Sequence, residues 1–239
     1  MVQKPVYSAM RTLVHQTSSL LLERKLIKHA ALPKGAKILA ANHPTTIDPV
    51  MLTTIAREPM RIMISETLFE VPVLGAWLRR AGHIRIEHGH GQGAVDDAVT
   101  ALEAGQTVAI FPEGAISPID GLERAHRGVA RLALLTGAPV VPIGIHIRSD
   151  HIKRIETTVN GKPEVGTWYF SGPYVITVGA PMHFTGDAHD RDLTLSIAET
   201  VMQQIAQLKL EGEARLPQRP ALLNHRSGLQ SRALQGGSR

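Results

Sequence analysis

Residues 37–52 read KILAANHPTTIDPVML. A short apolar strand, Lys37–Ala41, runs into a polar turn held between Pro44 and Pro49. A helix is expected to follow over residues 48–56, with Asp48 as N-cap and Pro49 in its first turn. The same strand–turn–helix unit recurs downstream. Strands are expected at residues 61–65, 83–87, 107–111, 140–147 and 173–178, and helices at 73–80, 93–103, 124–135 and 193–210. Alternation of this kind specifies an α/β fold, a mostly parallel central sheet flanked by helices.

Outward from this unit, the chain has 239 residues and a net charge of +5, unevenly spread. Residues 1–30 carry +4 and residues 211–239 carry +3, which leaves −2 for the 31–210 core. Val6, Met10, Leu13, Val14, Thr17, Leu20 and Leu21 recur at helical spacing, so residues 1–30 are expected to form an amphipathic basic helix. Such a helix either packs its stripe on the domain or lies in a bilayer interface. The 31–210 segment reads as the folded domain and 211–239, rich in Gly, Pro, Gln, Ser and Arg, as a mobile basic tail. Nine aromatic residues are too few for base-stacking platforms, and the basicity sits at the ends, so nucleic acid is not expected as a partner. The absence of cysteine excludes disulfides, thiolate metal sites and a cysteine nucleophile. No signal peptide and no membrane-spanning run are expected, because Arg11, His15 and Gln16 interrupt the N-terminal apolar stretch.

The chemistry concentrates in two loops. In the first, His43 and Asp48 lie five residues apart, about 140° around a continuous helix. The two prolines disfavour that helix and allow a turn that folds His43 back toward Asp48. A carboxylate bonded to one imidazole nitrogen sets the tautomer and leaves the other nitrogen as a general base. Taken alone, Asp48 as a plain helix cap and His43 as a surface loop residue explain the pattern equally well. The second loop, Phe111-Pro112-Glu113-Gly114-Ala115-Ile116-Ser117-Pro118, follows a strand apolar on both faces. Its place beyond a strand's carboxyl end is where open parallel sheets bind ligands.

These elements together resemble the glycerolipid (lysophospholipid) acyltransferase family, whose members include enzymes that form or consume 1-acylglycerol 3-phosphate. The asparagine-led His-x4-Asp motif, the Phe-Pro-Glu-Gly turn about 70 residues later and Val141-Pro142-Ile143 carry the resemblance. Gly82-His83-Ile84-Arg85-Ile86-Glu87-His88 is similar to the family's second block. The resemblance covers roughly residues 35–150. It implies transfer of a fatty acyl group from acyl-CoA or acyl-carrier protein to a lysolipid hydroxyl, with no resident cofactor and no metal. His43 is then the base and Asp48 its orienting partner. Glu113 and Gly114 are expected to hold the acceptor, and Val141 and Ile143 to line the acyl channel. The family pattern has Thr and Arg where this chain has Ala115 and Ile116, and Arg where it has His88. With those arginines gone, Arg85, His88 and Arg124 become the expected replacement donors for an acceptor phosphate.

The resemblance further implies a cytoplasmic protein, peripheral on the inner face of a membrane, with the N-terminal helix meeting its anionic surface. Three readings stay open beside the main one. They are a non-phosphorylated or zwitterionic lipid acceptor, a hydrolase using water as acceptor, and a non-catalytic lipid-binding protein of the same fold. Gly89-His90-Gly91-Gln92-Gly93 lacks dinucleotide-binding spacing, and His83, His88 and His90 lack the carboxylate companions of a metal site.

Overall fold

In a computed structural model that describes residues 4–119, 121–159 and 161–216, the first element is a helix, α1 (Lys4–Leu21). It ends well before residue 30, because β1 (Leu22–Lys28) continues the chain as a strand. The partner of β1 is a strand some 150 residues away, Leu22 lying beside Gly172 and Lys28 beside Val178. A pairing that distant leaves no trace in local periodicity. β1 forms a sheet edge, and its charged Glu23, Arg24, Lys25 and Lys28 suit an edge that must not recruit another strand.

The core units follow, all of them expected except a short helix at Glu66–Glu70. They are β2 (Lys37–Ala41), α2 (Asp48–Leu52), β3 (Met60–Ser65), α3 (Glu66–Glu70), α4 (Leu74–Ala81), β4 (Ile84–Ile86), α5 (Gly91–Glu103), β5 (Thr107–Ile110), α6 (Gly128–Thr136) and β6 (Val140–Ile147). A hairpin, β7 (Ile152–Val159) with β8 (Lys162–Tyr169), then precedes β9 (Gly172–Val178) and the closing helix α7 (Arg191–Ala214). Seven strands form one sheet in the order β1-β9-β6-β2-β5-β3-β4, in which only the β6–β9 pairing is antiparallel. The hairpin forms a separate two-stranded sheet.

Strand alternation divides the core in two. Ile38, Ala40, Val108, Ile110 and Val140 pack against α5, α6 and α7. Leu39, Ala41, Ala109, Phe111, Val141 and Ile143 share the opposite core with Met51 and Leu52 of α2 and with Phe69 and Leu78. α7 approaches β6 at backbone distance: a Cβ on Gly144 would lie 2.2 Å from the amide nitrogen of Lys209.

Several boundaries differ from expectation. α2 closes at Leu52. α6 begins at Gly128, since residues 123–126 are tied to the second motif: Glu123 N donates to Glu113 Oε2 and His126 N to Pro112 O. α7 runs past residue 210 to Ala214, into the segment expected to be tail, and residues 217–239 lie outside the described residues.

Candidate active site

β2, β5 and β6 are neighbours at the centre of the sheet, and all three are parallel. Their carboxyl ends therefore deliver three loops to one place. Asn42 joins two of these ends. Its Nδ2 donates to Ile145 O at 2.9 Å and its Oδ1 accepts from Ile145 N at 2.7 Å. One buried side chain thus replaces a backbone ladder step between β2 and β6, and leaves neither amide atom unpaired.

The residues after Asn42 turn as the prolines require. Asp48 N bonds to Thr45 O at 3.2 Å, closing a turn that returns the carboxylate to His43. His43 Nδ1 donates to Asp48 Oδ2 over 2.8 Å. Asp48 is not the N-cap that its position suggested. Ile47 occupies that place, and the Asp48 side chain faces inward with no exposure. Oδ2 also accepts from Thr45 N at 2.7 Å. Oδ1 accepts from Thr45 Oγ1 at 2.6 Å and from the Tyr174 hydroxyl at 2.5 Å. Four donors thus surround one carboxylate, which is how a buried charge is kept solvated by protein. Full burial, reinforced by the neighbouring Asp48 charge, holds the Tyr174 phenol well above its ordinary pKa, so it remains a donor.

His43 rests on the Phe111 ring, with centroids 4.1 Å apart and planes 19° from parallel. The imidazole is 17% exposed, and its Nε2 bonds to no described residue. A histidine with one nitrogen fixed by a carboxylate and the other open has the arrangement of a general base.

Glu113 is 3% exposed and committed on both oxygens. Oε1 accepts from the Ser117 hydroxyl at 2.5 Å and from His43 N at 3.2 Å, and Oε2 accepts from Glu123 N at 2.7 Å. Glu113, expected to hold the acceptor, has both oxygens committed within the protein and acts as a strut that binds the second motif to the first. Ser117 completes the strut. Its Oγ accepts from His43 N at 2.9 Å and its backbone N donates to His43 O at 2.8 Å. Gly114 has φ +70°, and a Cβ there would meet the His126 ring at 2.8 Å. Only glycine lets that turn close against His126 without strain.

The other expected site residues lie elsewhere. Val141 and Ile143 are fully buried in mid-strand and line no open channel. Further along β6, Ile145 and Ile147 belong to the same buried core, and they also form part of the lining of the cleft described below. Arg85 and His88 gather around Glu66 at the opposite sheet edge, with β5 and β3 between β4 and β2. Arg85 donates to Glu66 Oε2 at 2.9 Å and His88 N to Oε1 at 3.1 Å. The Arg85 hydrogen bond, first, and the His88 amide, second, hold the Glu66 carboxyl below its usual value. Arg124 is exposed and lies 3.7 Å from Glu199. None of the three lines the space beside His43.

That space is a cleft of about 1290 Å³. Asn42, Pro44, Ile116 and Ser117 form its margin next to His43, and the end of β6, the hairpin and the last turns of α7 form the rest. The hairpin is docked on the first motif, since Thr46 N donates to Thr167 O at 2.7 Å and Thr167 N to Thr46 Oγ1 at 3.1 Å. Sequence reasoning did not reach Thr45, Phe111, Ser117 or Tyr174 as parts of the site. Thr45, Phe111 and Ser117 stood inside the quoted motifs, whereas Tyr174 carried no local signal.

A family model described as Acyltransferase matches residues 23–146, about half of the chain and all of both motifs. An uncharacterised protein of Mycobacterium tuberculosis is 31% identical over 140 residues, 52% of this chain and 37% of that one. A 1-acyl-sn-glycerol-3-phosphate acyltransferase of Pseudomonas aeruginosa is 25% identical over 160 residues, 65% of this chain and 58% of that one. The chain thus spans between about a third and three fifths of the length of these curated relatives. The crystal structure of the 1-acyl-sn-glycerophosphate acyltransferase PlsC from Thermotoga maritima superposes with a TM-score of 0.67 at 19% identity, covering 89% of this chain and 82% of that one. That likeness shows a shared fold. With the family model spanning both loops that build the site, the chain belongs to the acyltransferase family.

Proposed function

We propose that this protein transfers a fatty acyl group from a thioester donor, acyl-CoA or acyl-carrier protein, to the hydroxyl of a lysophospholipid, with 1-acylglycerol 3-phosphate as the first acceptor to consider. The observation that carries the reading is the His43–Asp48 pair at 2.8 Å, with Nε2 bonded to no described residue and a cleft lined by the neighbouring Asn42, Pro44 and Ser117. His43 Nε2 takes the acceptor's hydroxyl proton, and the oxygen attacks the thioester carbonyl. The C–S bond then breaks, and the leaving thiolate recovers the proton from the imidazolium. Asp48 offsets the positive charge that His43 carries in between. No residue of the protein is acylated. General base assistance contributes about 10²–10⁴-fold, and orientation in the cleft contributes further.

A second reading, a non-phosphorylated or zwitterionic acceptor, draws on two observations. Ile116 stands at the cleft where the related motif has arginine, and Arg85, His88 and Arg124 do not reach it. An acceptor panel with one acyl donor separates the readings. Lysophosphatidate, glycerol 3-phosphate, lysophosphatidylcholine and a monoacylglycerol are compared by initial rate. The first reading expects lysophosphatidate to be used at least tenfold faster than monoacylglycerol. Equal rates would replace it with the second, and release of free fatty acid without any acceptor product would identify a hydrolase.

The same reading places the protein at the inner face of a membrane, held there peripherally. Among the described residues no helix is long and apolar enough to cross a bilayer. α1 divides its apolar residues: Met10 and Val14 are half-buried, whereas Leu13, Leu20 and Leu21 are 61%, 85% and 62% exposed. Its basic neighbours are partly committed to the domain, because Arg11 Nη2 reaches Thr54 O at 3.4 Å and Arg24 Nη1 reaches Thr54 Oγ1 at 3.2 Å. Apolar insertion rather than charge then supplies most of the attraction. Changing Leu13, Leu20 and Leu21 to serine is expected to weaken sedimentation with anionic vesicles at least tenfold at unchanged thermal stability. Unaltered sedimentation would remove α1 as the contact.

A further inference from the structure

The cleft beside His43 has a wall that lies outside both motifs, and its charge is distinctive. Ile145, Ile147, Ile152 and Val165 give it an apolar lining, and three cationic side chains join them: Arg148, Arg154 and Lys209. Arg148 is already engaged, with Nε and Nη2 on the two oxygens of Asp150 at 3.0 and 2.9 Å. Arg154, on β7, and Lys209, on α7, make no hydrogen bond or ion pair with any described residue. With Asp150 occupied, Glu213 is the remaining acid of the lining. Residues 31–210, to which Arg154 and Lys209 belong, carry a net charge of −2, so two unpaired cations on this lining are not a sample of a basic background.

The position of Lys209 is set by main-chain packing. A Cβ on Gly144 would fall 2.2 Å from its amide nitrogen, and one on Gly212 would fall 3.2 Å from the Cβ of His146. α7 is therefore laid directly along the end of β6, at the cleft. His146 adds no competing cation near neutral pH, because burial, with help from Lys209 and Arg148, lowers its pKa below the ordinary histidine value against the pull of Glu213. Ile116, which replaces the arginine of the related motif, opens on this same cleft. The cationic function missing at one margin is present on another.

We propose that Arg154 and Lys209 bind a phosphate group of the acyl-bearing substrate that occupies this cleft. The proposal rests on the acyl-transfer reading for the identity of that substrate. A guanidinium offers a planar fork and an ammonium a compact point charge, and both suit phosphate oxygens. The phosphate belongs either to a phosphorylated acceptor or to the donor's carrier, and the two sources are separable.

Binding is measured by isothermal titration calorimetry for the unmodified protein, Arg154→Gln, Lys209→Gln, the double variant and Arg154→Lys. The probes are 1-acylglycerol 3-phosphate below its micelle-forming concentration, coenzyme A, and a monoacylglycerol as the uncharged control. Charge-assisted hydrogen bonds predict a loss of about tenfold per residue for one phosphorylated probe. Arg154→Lys is expected to stay within about threefold, and monoacylglycerol binding to stay level. The probe that weakens names the source. Unchanged affinity for both phosphorylated probes in the double variant overturns the proposal, as does an equal loss for monoacylglycerol. Acyl transfer is assayed in parallel. Loss of phosphate binding in a protein without transfer keeps this inference and removes the acyltransferase reading, and transfer with unchanged binding does the reverse.

Discussion

Changing His43 to alanine is expected to lower acyl transfer at least a hundredfold while leaving the circular dichroism close to that of the parent. The size follows from the loss of a general base, about 10²–10⁴ in rate. The fold is expected to persist because the contacts that assemble the two motifs use the backbone of residue 43. The amide of residue 43 still donates to Glu113 and Ser117, and its carbonyl still accepts from the Ser117 amide. What alanine forfeits structurally is the stack on Phe111, worth about 0.5–1.5 kcal/mol, and one of the four donors to Asp48, whose other three remain. Initial rates with a thioester donor and a lysolipid acceptor measure the effect. Turnover within threefold of the parent would remove His43 from the mechanism.

Changing Asp48 to asparagine is expected to cost about a thousandfold in rate, again with the fold intact, and the hydrogen-bond arrangement explains why. The two N–H donors, from His43 and Thr45, share Oδ2, whereas the two hydroxyls, from Thr45 and Tyr174, share Oδ1. An asparagine with its oxygen at the first position keeps both N–H bonds. Its NH₂ then faces two hydroxyls, each of which turns to accept. Both hydroxyl oxygens stay paired while their protons lose the carboxylate acceptor, so the variant forfeits the negative charge together with two O–H donations. An opposite charge about 4 Å away is worth about 4 kcal/mol at an effective dielectric of about 20, near a thousandfold in rate for a step that forms imidazolium. Asp48→Ala makes a contrast. It leaves four donors facing a void, and a stability loss of several kcal/mol is expected from their missing partners. Urea unfolding of both variants beside their rates tests the distinction. A stable Asp48→Asn protein with normal turnover would show that the charge at this position has no part in catalysis.

The parts of this protein that were legible from its residues are those set by local chemistry. Prolines at 44 and 49 interrupt a helix wherever they stand, so the turn that brings Asp48 to His43 was written in a six-residue span. The central strands were equally plain: residues 37–41 and 140–147 were expected to be strands and are, because buried parallel strands need an unbroken apolar run. The elements that went unread are those whose reason lies far along the chain. β1 is a strand because β9 is beside it, and the polar hairpin β7–β8 is held by its own ladder and by Thr46. Strands stabilised by distant pairing need no apolar period of their own.

Side-chain roles divide along the same line. That His43 and Asp48 could form one unit was legible in the sequence, since two prolines disfavour the helix that would part them, while their pairing was settled by the folded turn. Tertiary structure alone decided that Glu113 is a strut, that Val141 and Ile143 are core, and that Arg85, His88 and Arg124 face other partners. It also decided that Tyr174 closes the shell of Asp48 and that Arg154 and Lys209 reach the cleft. The physical reason is reach. A turn is specified by backbone restrictions between neighbours, whereas the identity of a pocket wall depends on which distant strands the sheet order brings together.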